Sequence, residues 1–139
     1  MNEAPSPEPN EGRILVIDDD PDVRELSTRT LSREGFRVET AGSGEEGLRM
    51  ARALHPDAIT LDVLMPDLDG WAILAAIKQD PALSDIPVIL ISIVDEKERG
   101  YLLGASDYLV KPVDRTALAQ RLRTICNLRS DHPCIQTDR

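Results

Sequence analysis

Short apolar runs without alternation recur along the chain, separated by segments of helical period. Ile14-Leu15-Val16-Ile17 is the first, and such a run reads as a strand buried on both faces. Ala58 to Asp62, Val88 to Ile91 (ending at Ser92) and Tyr108-Leu109-Val110 repeat the pattern, while Phe36 to Ala41 is more polar and predicts a strand nearer an edge. After the first strand, Asp20 suits an N-cap and Pro21 the first turn of a helix. Val23, Leu26 and Leu31 give that helix an apolar side, and Gly35 stops it. Glu45 to Leu54 makes a second helix, ended by His55-Pro56. Gly70 to Gln79 makes a third, with Trp71, Leu74 and Ile77 on one face. Asp95 to Leu103 is a short charged helix stopped by Gly104, and Asp114 to Leu128 carries Leu118, Leu122 and Ile125 in one stripe. Five strands alternating with five helices predict an α/β fold, a parallel sheet with helices on both faces.

Composition sharpens this picture. In 139 residues, 41% hydrophobic content supports one domain, but aromatic residues are only 3%, so the core is built from Ile, Leu, Val and Ala. A net charge of -9 argues against direct contact with nucleic acid, whose phosphates are met by Lys and Arg. It favours a cationic partner or a bound metal. Cys126 and Cys134 lack the spacing of a disulfide framework or a zinc site. No apolar stretch reaches membrane-spanning length, so no membrane insertion is expected. Residues 1–12, acidic and holding Pro5, Pro7 and Pro9, are expected to be a disordered tail rather than a targeting signal. Residues 13–129 then form the folded domain, residues 130–139 a polar tail, and the protein is expected to be cytoplasmic.

Open parallel sheets bind ligands beyond the carboxyl ends of their strands, where strand order reverses. Standing at those ends are Asp18 and Asp19, Asp62, Ser92 and Lys111; the second strand offers only Ala41-Gly42-Ser43. Taken singly, the acidic triplet could merely cap a helix, and Asp62 could merely cap a turn. Their convergence reads differently. Like charges about 4 Å apart repel by roughly 4 kcal/mol at an effective dielectric of 20, so Asp18, Asp19 and Asp62 need a counter-charge. An all-oxygen donor set suits Mg2+. A carboxylate beside such an ion can act as nucleophile on phosphorus and form an aspartyl phosphate. Asp62 would do so without a general base, with the metal, Lys111 and the Ser92 hydroxyl (with a backbone amide) each taking one phosphoryl oxygen. Neither His55, at a helix end, nor His132, in the tail, is placed for catalysis.

Ile17-Asp18-Asp19-Asp20, Asp62-Val63-Leu64-Met65-Pro66-Asp67-Leu68-Asp69-Gly70, Ser92, and Gly104 through Tyr108 to Lys111-Pro112 together resemble the receiver domain of two-component response regulators. The resemblance covers roughly residues 12–128. It implies a flavodoxin-like sheet of order 2-1-3-4-5, and a signalling module rather than an enzyme. It implies Asp62 as phosphoacceptor from a histidine kinase or phosphotransfer protein, with Mg2+ held by Asp18, Asp19, Asp62 and the Leu64 carbonyl. Ser92 and Tyr108 match the family's switch pair, Lys111 its phosphate-binding lysine, and the Lys111-Pro112 bond is often cis in such domains. Phosphorylation would then alter the face made by the fourth helix, fifth strand and fifth helix, through which the chain could meet a downstream protein or a second copy of itself. The chain is expected to be either a stand-alone receiver or one separated from a hybrid kinase or longer regulator. Ile93 departs from the family's small residue after the switch hydroxyl and is expected to narrow access to Asp62.

Other readings are weaker. A phosphorylation-independent interaction module would not need every chemical residue to be present. A small-substrate phosphatase with an aspartate nucleophile needs a second Asp where this chain has Leu64. Gly42-Ser43-Gly44-Glu45-Glu46-Gly47 mimics a dinucleotide-binding turn, but follows the wrong strand and puts two carboxylates where a pyrophosphate would sit. Trp71 reads as ordinary helix packing. Tyr108, near the surface edge, reads as strand packing or as a mobile side chain.

Overall fold

The computed structural model describes residues 12–63 and 70–134, with side chains described through residue 126. The elements run β1 (Gly12–Ile17), α1 (Pro21–Arg33), β2 (Phe36–Ala41), α2 (Gly44–Leu54), β3 (Ala58–Asp62), α3 (Gly70–Gln79), β4 (Val88–Ser92), α4 (Lys97–Leu102), β5 (Asp107–Val110) and α5 (Arg115–Cys134). The strands form one parallel sheet in the order β2-β1-β3-β4-β5, the α/β order expected. The more polar β2 lies at an edge, and so does β5.

Alternate residues of each strand serve two cores, as the two-residue period requires. Ile14, Val16, Ala58 and Ile89 pack beneath Leu31 of α1 and Leu118, Ala119 and Leu122 of α5. Leu15, Ile17, Leu61, Val88 and Leu90 face α2 and α3, including the predicted Trp71, Leu74 and Ile77 stripe. Ser43 accepts a hydrogen bond from the Glu46 amide, while Glu46 Oε1 accepts one from the Gly42 amide at 2.9 Å. The N-terminus of α2 is therefore closed by its own carboxylate. Gly47 serves packing there, because a Cβ on it would lie 2.5 Å from Ile17 Cδ1.

Several expectations need correction. In α1, Leu26 is 43% exposed, and the buried positions are Ser27 and Leu31. Residues four apart share a helix face, and Leu26 falls a quarter-turn off that line. The fourth helix is shorter than 95–103. Helix α5 runs on to Cys134, past the expected end at Leu128 and into the expected polar tail; no glycine stops it, and Pro133 falls only in its last turn. Gly12, placed in the N-terminal tail, opens β1; the rest of that tail, like Leu64 and the loop to Asp69, lies outside the described residues.

Candidate functional site

The register brings the strand ends into line. Ile17 pairs with Leu61, Asp62 with Ile91, and Ser92 with Val110. Asp18 and Asp62 thus leave the sheet side by side where strand order reverses between β1 and β3, the crevice in which such sheets bind ligands. Asp62 is 6% exposed and Asp18 5%. Carboxylate oxygens of Asp18, Asp19 and Asp62 all lie within 4.8 Å of one another. Asp20, the third of the triplet, turns away and caps α1, accepting from the Asp22 amide at 2.9 Å.

Local contacts fix each member. The Asp18 amide donates to the Ala41 carbonyl at 3.1 Å, and Asp18 Oδ1 accepts from the Asp20 amide at 3.0 Å. Beyond Asp62, the Val63 amide donates to Ile91 and the Val63 carbonyl accepts from Gly70, both at 3.1 Å. A Cβ on Gly70 would lie 2.5 Å from Val63 Cα and 2.8 Å from the Asp62 carbonyl. Only glycine lets α3 begin so close to the end of β3. Lys111 Nζ lies 3.5 Å from Asp62 Oδ2, and its amide donates to the Ser92 carbonyl at 2.7 Å; the Lys111–Pro112 peptide is cis.

Burial is the main reason the Asp18 carboxyl is held above its ordinary pKa, and the negative charges of Asp62 and Asp19 push the same way. The Asp20 amide and Lys111 pull against them without cancelling the rise. Such a group is costly to ionise alone and is relieved by a hard cation. The oxygen-only, closely spaced donor set fits Mg2+. Leu64, expected to add a carbonyl, lies outside the described residues.

Ser92 and Tyr108 are held by contacts of their own. Ser92 is 1% exposed, and its hydroxyl accepts from the Val94 amide at 3.0 Å. Tyr108 is not near the surface. It is 2% exposed, donates its hydroxyl proton to the Val94 carbonyl at 2.5 Å, and accepts from the Glu96 amide at 3.2 Å. Its ring stacks on Trp71 with centroids 6.3 Å apart, and the Arg99 guanidinium lies 4.2 Å from the centre of the Trp71 ring. Trp71 therefore does more than line a helix face: it joins α3 to α4 beside Tyr108. His55 lies at the opposite end of β3, bonded to the Ala82 carbonyl at 3.0 Å.

A cavity of about 420 Å³ opens beside the cluster, bounded by Asp62, Lys111, Ser27, Thr60, Leu118 and Ile93. Ile93, 66% exposed, stands on its rim. Ser27 and Thr60 escaped the sequence reading because isolated hydroxyls inside an apolar pattern carry no periodic signal.

Fold and site define a doubly wound α/β module with an acidic centre and one lysine at its switch point. A family model described as the response regulator receiver domain matches residues 14–123. The chain is 42% identical over 120 residues to the transcriptional regulatory protein PrrA of Mycobacterium leprae, covering 84% of this chain and 51% of that protein. It is 37% identical over 131 residues to the probable transcriptional regulator ycf27 of Cyanophora paradoxa, covering 92% of this chain and 53% of the relative. The chain thus spans about half the length of these relatives. Among solved structures, the signal receiver domain of a signal transduction histidine kinase from Syntrophus aciditrophicus superposes with a TM-score of 0.78 at 32% identity, over 91% of this chain and 95% of that one. The chain belongs to the response regulator receiver domain family, the signalling modules of two-component systems.

Proposed function

We propose that the chain takes up a phosphoryl group on Asp62 from a phosphohistidine, on a histidine kinase or a histidine phosphotransfer protein. The observation that carries this is the meeting of three carboxylates within 4.8 Å beside Lys111, 3.5 Å from Asp62. Asp18, Asp19 and Asp62, with the Leu64 carbonyl, would hold Mg2+, which supplies positive charge to the cluster and the incoming phosphoryl group when bound. An Asp62 carboxylate oxygen forms the new bond to phosphorus as the phosphorus–nitrogen bond breaks, and the imidazole leaves with the electron pair. Lys111 neutralises one phosphoryl oxygen. Ser92, whose oxygen accepts from the Val94 amide, still has its own hydroxyl proton to donate to another as it moves toward the phosphoryl group.

That movement of Ser92 is also the means of switching. Drawn along with Ser92, the β4–α4 segment repacks around Tyr108, whose hydroxyl already grips Val94 and Glu96. Two packings differing by a few kcal/mol are enough for phosphate to bias one of them. The surface that changes is that of α4, β5 and α5, where Leu102 is 86% exposed. A downstream protein, or a second copy of the chain, would read it.

Incubating the chain with Mg2+ and a phosphorylated kinase or acetyl phosphate tests the proposal by intact mass. The wild type gains one phosphoryl group and Asp62→Asn gains none. Label retained by Asp62→Asn places the acceptor elsewhere, and no label on the wild type identifies a phosphorylation-independent interaction module.

A further inference from the structure

Helix α1 opens as the helix dipole favours, with Asp20 as N-cap and Asp22 in its first turn, and Arg24 follows at the fourth helical position. Its side chain does not run into solvent. Nη1 donates to the Asp18 main-chain carbonyl at 2.8 Å, reaching back over the loop that carries Asp18 and Asp19. The same guanidinium lies against Gly42 in the β2–α2 loop, where a Cβ would sit 3.0 Å from Nη1 and 3.3 Å from Cζ. The Asp18 amide meanwhile donates to Ala41, in the strand that Gly42 leaves. Asp18 is thus held on its main chain from both sides, by β2 through its N–H and by Arg24 through its C=O. Arg24 thus reaches Asp18 through its main chain.

We infer that Arg24 is a positioning residue for the acidic centre: wedged over Gly42, it clasps the Asp18 carbonyl and fixes the β1–α1 loop so that Asp18 and Asp19 face Asp62 in a cation-ready arrangement. The inference rests on the magnesium reading above. The glycine at position 42 belongs to the same device, because a methyl there would press the guanidinium aside by a few tenths of an ångström. A clasp of this kind keeps mutually repelling carboxylates from spreading apart before a cation arrives. It acts on affinity through geometry rather than through charge.

Calorimetric titration of Mg2+ into the full chain at 25 °C tests this, with melting temperature recorded for each variant. Arg24→Ala is expected to weaken Mg2+ about tenfold, the usual scale for groups that orient metal ligands. Arg24→Lys recovers part of the loss, since an ammonium can reach one carbonyl but does not lie flat on Gly42. Gly42→Ala keeps every charge and still weakens binding, by displacing the guanidinium. Wild-type affinity in both Arg24→Ala and Gly42→Ala overturns the inference. So does full rescue by lysine with Gly42→Ala silent, which would assign the effect to charge alone. Asp18→Asn binding Mg2+ as well as the wild type would instead overturn the underlying magnesium site.

Discussion

Asp18 shows how one residue can be unfavourable to the fold and useful to the site. Its carboxyl pKa is raised by burial and by neighbouring carboxylates, so the folded chain holds this proton more tightly than the unfolded chain does. The stability associated with that proton is complete below the unfolded value, about 3.9 for Asp, and is lost as pH rises through the higher folded value. At neutral pH without metal, Asp18→Asn should therefore stabilise the protein by about 1 kcal/mol, a rise of a few degrees in melting temperature. Asparagine keeps the oxygen that accepts from the Asp20 amide, so little else changes. A lower melting point in the variant would mean that the negative charge is already compensated. Ile93 makes the opposite case. With 66% of its surface exposed, it adds little to stability, but it stands on the rim of the cavity shared with Asp62. Ile93→Ala is expected to leave melting within about 0.5 kcal/mol and to hasten loss of the phosphoryl group to water, followed as decay of the labelled mass. An unchanged decay rate would remove Ile93 from any role in access.

Among the elements, α4 is the least self-sufficient. It spans Lys97–Leu102, and its N-cap, Glu96, makes no side-chain capping bond. A helix that short is not stable alone in water, so tertiary contacts hold it. Gly100 lies where a Cβ would come 2.8 Å from the Tyr108 ring, and Arg99 covers Trp71. Arg99→Ala should cost only about 0.5–1 kcal/mol overall, yet redden the fluorescence of Trp71, the chain's single tryptophan, and speed amide exchange within α4. Unaltered emission would show that α4 is held by other contacts. By contrast, α1 and α5 are tied firmly, because Arg123 donates to both the side chain and the carbonyl of Glu34 at the end of α1. At this scale the buried strands were legible, since unbroken apolar runs have few alternatives. So were the carboxylates that end them. The inward turn of Ser27, the depth of Tyr108 and the clasp of Arg24 were not, because each depends on which neighbouring element comes close.

For the whole molecule, the decisive fact is that all five strands run the same way. Asp18, Asp62, Ser92 and Lys111 reach one rim from four segments far apart in sequence, each needing only to end its strand there. An ion bound at that rim would stabilise the folded chain alone, by about 2.7 kcal/mol at a hundredfold excess over the dissociation constant. Melting temperature should rise with Mg2+ concentration and fall again on chelation, and Asp18→Asn should flatten this response. Equal responses in the two proteins would place the ion elsewhere. The rim was readable from sequence because strand polarity follows from the strand–helix alternation; the cavity beside it was not, since its walls come from α1 and α5 together.

The opposite rim does quieter service. There Lys78 Nζ bonds the carbonyls of Ser84 and Ile86, and Arg52 pairs with Asp80, strapping the turn before β4 to its neighbours. The length of the sheet separates that strapping from the chemistry. A fluorescent tag attached through the exposed side chain of Ser84 would therefore keep that backbone strapping and ride on the module as a passenger, a sheet's length from its acid centre.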